Sequence, residues 1–271
     1  MNSLLAMHLP DGFMTPTLAV VGWILVLPAL VWACSRDDGE HETTFAALLA
    51  AFLFAAQTFH FPVPGGTSGH FVGATLVVIL CGPSLGLLVL TSVVVLQAFV
   101  FGDGGLFTMG WNLANMGLVG GVLGGALFEG LRRARISVSV GAFVAAWTAT
   151  MMAAVCTAME LAAADLTPLH ISLTAMLTVQ SVVGIGEGLV TSGVVVFLLR
   201  TRPEFIDLKA NAGMKPGVGV AALIGISTLL PPEIFGLASG RYPAAAVFVG
   251  LSAAVCFVVG LFYMWRRRCE R

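Results

Sequence analysis

Apolar runs of about 20 residues recur from residue 15 to residue 265, separated by short polar breaks, and they leave this chain few ways to fold. Each is long enough to cross about 30 Å of hydrocarbon as a helix. Inside a bilayer a helix is favoured because it satisfies its own backbone groups. Spans are predicted at 15–34, 44–61, 109–128, 138–164, 171–200, 217–236 and 243–265. The remaining apolar stretch, after His70, is broken by Gly82-Pro83. A proline removes a backbone donor and disfavours helix just before it, so this stretch reads as two short helices, 71–81 and 84–101. The expected fold class is an all-α polytopic membrane protein of nine transmembrane helices, or eight if 71–101 crosses only once.

Composition agrees, with 58% hydrophobic residues, 10% charged residues and a mean hydropathy of +0.97. A net charge of −1 suggests no nucleic-acid partner. Cys34, Cys81, Cys156, Cys256 and Cys269 are scattered without a CxxC pair, which argues against a zinc ribbon or a disulfide framework. With the amino terminus outside, every basic residue except Arg241 falls on the cytoplasmic side. The eight-span alternative strands Arg36 as well, so charge barely separates the two. Convergence favours nine spans, because Met7-His8, the segment His60 to His70 and the loop Gly102-Asp103-Gly104-Gly105 then face one side. The polar interval 201–216 marks a boundary between a seven-span body and a two-span carboxy-terminal hairpin.

The chemistry concentrates in Met7-His8-Leu9-Pro10-Asp11-Gly12-Phe13 and in His60-Phe-Pro-Val-Pro-Gly-Gly-Thr-Ser-Gly-His70. If Met7 is the mature terminus, its amine, the deprotonated His8 amide and the His8 ring can chelate one metal with three nitrogens in a plane. Such a donor set suits Ni(II), Cu(II) or cobalt and is poor for tetrahedral Zn(II). His70, at the end of a loop stiffened by Pro62 and Pro64, is the candidate fourth donor. His60 is a second ligand, a support or an interfacial structural histidine. Asp11 and Asp103 either hold a ligand's N–H or cap a helix or turn. Asn112 and Asn115 would bond across helices or support the ligands. Glu160 and Glu187 lie within spans, where an ionisable group is a functional suspect; Glu187 serves an internal polar network or a partner subunit. Walker, His-Glu-x-x-His and Gly-x-Ser-x-Gly signatures are absent from the sequence, so a transporter of this kind would draw on an external energy source.

Met7-His8-Leu-Pro-Asp-Gly-Phe13, Pro62-Val-Pro-Gly-Gly-Thr-Ser-Gly-His70, Phe101-Gly-Asp-Gly-Gly105 with Asn112-Leu-Ala-Asn-Met-Gly117, and Gly184-Ile-Gly-Glu-Gly188 with Arg202-Pro203 resemble the CbiM/NikM family. The likeness runs in order over residues 7–205. It implies the substrate-specific component of an energy-coupling factor transporter for cobalt or nickel in a bacterial or archaeal cytoplasmic membrane. The implied partners are a transmembrane coupling subunit (CbiQ/NikQ type), a cytoplasmic ATPase (CbiO/NikO type) and a small accessory membrane protein (CbiN/NikN type). No permanent cofactor is implied; Ni(II) or Co(II) is the cargo. Carried over by motif, the metal ligands are Met7, His8 and His70, with His60, Asp11, Asp103, Asn112 and Asn115 in support.

Two departures matter. Residues 1–6 precede Met7 and are expected to be dispensable or a mis-assigned start, because an internal Met-His pair has no free amine. Gln180 stands where many relatives carry a histidine, so no ligand is assigned there. The 62–70 loop looks more like nickel members than cobalt members, and 206–271 looks like a fused accessory segment. The competing readings are an integral-membrane metal-dependent enzyme using His60, His70 and an acidic residue, and a stand-alone metal channel.

Overall fold

The computed structural model describes residues 5–6, 8–36, 43–58, 60–63 and 67–202, with backbone alone for 5–6, 43–44, 60–63 and 67–69. The expected hairpin 206–271, with its two spans, lies outside the described residues, as does Met7. Among the described residues, helices dominate and five helical stretches are long and apolar enough to cross a membrane. They are α1 (Pro16–Arg36), the stretch Ala74–Phe101 that opens with α3 (Ala74–Leu96), the stretch Met109–Arg133, α6 (Val138–Ala163) and α7 (Leu169–Thr201). Met109–Arg133 comprises α4 (Met109–Leu113), a wider π-helical turn sequence Ala114–Leu123 and α5 (Gly124–Arg133). A shorter apolar helix, α2 (Thr43–Gln57), follows α1.

Local chemistry sets the helix ends. Pro16 opens α1, where its missing N–H removes nothing. The Ser137 hydroxyl accepts from Val140 N to cap α6. At the far end of α5, Glu129 is buried against Arg132 and Arg133 at 2.7 and 2.6 Å. Val20, Ile24, Leu27 and Val31 of α1 and Val182, Ile185, Leu189 and Phe197 of α7 point outward. Outward apolar stripes on helices of this length face lipid.

The expected span 44–61 is corrected in the structure. Its helix stops at Gln57, and His60–Val63 forms a strand, β2, because Pro62 and Pro64 cannot continue an α-helix. β2 pairs antiparallel with β3 (Thr67–His70), with His60 opposite His70. β1 (Leu5–Ala6) pairs parallel with the other edge of β3, giving the order β1-β3-β2. The all-α expectation therefore holds for the spans but not for this small sheet, which carries one of the candidate ligands.

The break at Gly82-Pro83 is a reversal of the chain. Gly82 has φ 79° and ψ 172°, outside any helix. A Cβ built on Gly86 would lie 3.0 Å from the Val78 Cα. Eight residues along a continuous helix would separate these positions by about 12 Å. The two halves thus lie side by side, so Ala74–Phe101 is two helices folded back at Gly82-Pro83 rather than one straight crossing, the first beginning at Ala74 and not at the expected residue 71. His70, just before the segment, and Asp103, just after it, come together at His8.

Candidate metal centre

The site begins with a chain segment that enters the protein body. Leu9 is almost wholly buried and packs with Trp111 and Leu161. Its backbone is caught on both sides. Leu9 N donates to Asn112 Oδ1 at 2.8 Å, while its carbonyl accepts from Asn112 Nδ2 at 3.2 Å, from Gly105 N at 2.9 Å and from the Thr108 hydroxyl. Two residues on, the Asp11 carboxylate accepts from the backbone N–H groups of Leu106, Phe107 and Thr108 at 2.9, 2.8 and 3.3 Å. Asp11 caps a loop far away in sequence, and Asn112 clamps the residue beside His8.

That clamp places the His8 ring in a closed environment, 2% exposed. Nε2 lies 2.9 Å from the Met116 sulfur. A thioether can only accept, so this contact is a hydrogen bond in the tautomer that carries its proton on Nε2. Nδ1 lies 3.1 Å from Asp103 Oδ2, at ion-pair distance but without in-line hydrogen-bond geometry. A neutral imidazole donates from one nitrogen only. In the tautomer protonated on Nε2, Nδ1 and the Asp103 carboxylate present lone pairs to each other, whereas in the other Nδ1–H faces the carboxylate.

His70, at the end of β3, is fully buried, and its ring centroid lies 4.8 Å from that of His8 with planes tilted by 58°. His60 is its register partner on β2. The structure thus brings His8, His70, Asp103, Asn112 and the capping Asp11 to one end of the helical body. Asn115 faces elsewhere. Its amide donates to Glu160 Oε2 at 2.9 Å and to the Thr157 hydroxyl at 3.2 Å, forming a buried link between spans. Met116 and Thr108 were not singled out by sequence. A thioether within an apolar run carries no distinguishing signal, although its place beside Asn115 is a pointer. Both π-helical stretches, Gln97–Phe101 and Ala114–Leu123, border the site, as wide turns often do at functional positions.

The model of the family described as CbiM, cobalt uptake substrate-specific transmembrane region, matches residues 8–205. This chain belongs to the CbiM family. Among its relatives, a putative fused nickel transport protein NikMN of Archaeoglobus fulgidus is 34% identical, over 89% of this chain and 82% of that protein. The cobalt transport protein CbiM of Geobacter sulfurreducens is 31% identical, over 80% of this chain and 65% of its own length. A solved structure described as a truncated transition metal transporter is similar at a TM-score of 0.67 and 28% identity, covering 71% of this chain and 98% of its own. The CbiM family match spans every described span and both histidines that meet at the site.

Proposed function

We propose that this chain is the substrate-binding membrane component of an ATP-driven energy-coupling factor importer, and that it takes up Ni(II) in preference to Co(II). The observation that carries the reading is the approach of two buried imidazoles, His8 and His70, 4.8 Å apart beside the Asp103 carboxylate. With Met7 as the mature terminus, its amine, the His8 amidate and His8 Nδ1 occupy three corners of a square plane, and His70 supplies the fourth. The Met116 contact favours this chemistry, because a proton held on Nε2 leaves Nδ1 to the metal. Affinity alone would rank copper above nickel and cobalt, so selection rests on the enclosure around this plane.

The site opens to the external face of the cell membrane, with the amino terminus outside and nine spans in all. A coupling subunit of the CbiQ/NikQ type and an ATPase of the CbiO/NikO type supply the energy. Residues 206–271 serve as a fused accessory segment of the CbiN/NikN sort. A match over 89% of the chain supports this, since residues 1–205 make up only about three quarters of it and the matching protein is a fused NikMN. Nickel also stands in the names of the fused relatives from Archaeoglobus fulgidus, Rhodobacter capsulatus and Lactiplantibacillus plantarum.

Intact mass and amino-terminal sequencing of the purified protein, paired with Ni(II) and Co(II) titration of the same sample, test the reading. The expected result is a chain starting at Met7 that binds one metal and loses it in His8→Ala. A chain retaining residues 1–6 that binds as tightly sinks the amine-ligand mechanism.

A further inference from the structure

Glu187 lies deep in α7, 2% exposed, in a span where a carboxylate is costly to bury. It reaches the chain just after His70. Its Oε1 accepts from Val72 N, and its two oxygens lie 3.2 and 3.0 Å from Gly73 N. Gly73, at φ 65°, is the first residue of the turn into α3 and offers that helix no side-chain cap. Glu187 therefore acts as a cap supplied from another helix, negative at a helix amino terminus where the dipole favours it.

The same peptide is held from the opposite side. Val72 carbonyl accepts from Gln57 Nε2 at 2.7 Å, and Gln57 Oε1 accepts from Gln97 Nε2 at 3.0 Å. Both glutamines are buried, at 0% and 3% exposure. Gln97 then uses its own carbonyl to accept from Gly102 N and, at 3.2 Å, from Asp103 N. The chain of bonds thus begins at Glu187, passes two residues beyond His70 and ends on the residue that faces His8 Nδ1. Hydrogen bonds fix both distance and angle, which apolar contacts do not.

We propose that Glu187, acting through the backbone of Val72 and Gly73 and through Gln57 and Gln97, is a positioning residue that sets the separation of His70 from the His8–Asp103 pair. This rests on the metal-capture reading above and goes beyond it. Glutamine at 187 keeps the shape but turns an N–H donor toward the Val72 or Gly73 N–H, so the peptide is released. Aspartate keeps both acceptors on a shorter stem.

Full-length protein in detergent micelles is titrated with Ni(II) as wild type, Glu187→Gln, Glu187→Asp, Gln97→Leu, His70→Ala and the Glu187→Gln/His70→Ala pair. Affinity, d–d absorption of the complex and the thermal midpoint of the metal-free protein are read together. Glu187→Gln and Gln97→Leu are expected to weaken Ni(II) binding by about tenfold or more and to move the absorption toward that of His70→Ala. Glu187→Asp regains part of both. Removing His70 costs less in the Glu187→Gln background than in wild type, because residues acting as a unit are not additive. A purely structural role moves the thermal midpoint, leaves the spectrum unchanged and gives additive losses, and that result overturns the proposal. If Glu187→Gln does not fold, Gln97→Leu decides by the same spectrum and affinity. A wild type that takes up no Ni(II) overturns the capture reading and this role with it. A wild type that binds through His70, alongside an indistinguishable Glu187→Gln, overturns the positioning role alone.

Discussion

At the scale of single residues, the candidate centre is held by the neighbours of its two histidines. Asn112 grips both backbone groups of Leu9, and a buried group left unpaired costs about 1–3 kcal/mol. Asn112→Leu is therefore expected to weaken Ni(II) binding by roughly tenfold to a hundredfold, measured by calorimetric titration, with stoichiometry unchanged. Met116→Leu preserves volume but removes the acceptor at Nε2, freeing the ring to take its other tautomer. A loss of about fivefold to tenfold is expected, in the range of one hydrogen bond; unchanged affinity would show that the thioether does not fix the ring. His8 and His70 were legible because imidazoles are conspicuous among hydrocarbon and their neighbours carry turn chemistry. Met116 was not, since methionine in a span reads as packing. Glu187 was legible as an anomaly, yet its targets are main-chain N–H groups that no side-chain pattern reveals.

At the scale of elements, the reversal at Gly82-Pro83 was visible in the sequence because glycine and proline alter the backbone itself. The sheet was not. Its central strand, Thr67–His70, is glycine-bearing and short, and its partners are a proline-containing strand on one edge and the distant Leu5–Ala6 on the other. Such pairing overrides local preference. Gly82→Ala places a side chain at φ 79° and ψ 172°, a region nearly reserved for glycine, at a strain of about 1–3 kcal/mol. The thermal midpoint should fall, and metal affinity should fall with it, because the two arms of this hairpin lead to His70 and to Asp103. A variant with lowered midpoint and undiminished affinity would mean that the turn and the site are mechanically independent. Asp11→Asn leaves an amide facing three N–H donors in place of a carboxylate, and faster hydrogen exchange at Leu106, Phe107 and Thr108 is the expected readout.

At the scale of the whole molecule, the polytopic class followed from length and hydropathy alone, whereas the number of crossings depended on where the chain turns back. The family match over residues 8–205 predicts that a chain ending at residue 205 retains Ni(II) binding in detergent to within about twofold of full length. If 206–271 serves as the accessory segment, the same truncation lowers uptake of the metal in cells that carry the coupling and ATPase subunits. Retained uptake would assign the segment another role. The docking of the amino-terminal segment bears on the protein's biosynthesis. Leu5–Ala6 is paired along β3, at Thr67 and Ser68, while His8 and Leu9 are enclosed. A peptidase takes its substrate as an unpaired strand, and Leu5–Ala6 is already paired once the sheet has formed. If the mature chain begins at Met7, trimming of residues 1–6 is expected while the nascent chain is still unseated, so that the order of trimming and sheet formation sets which molecules become competent.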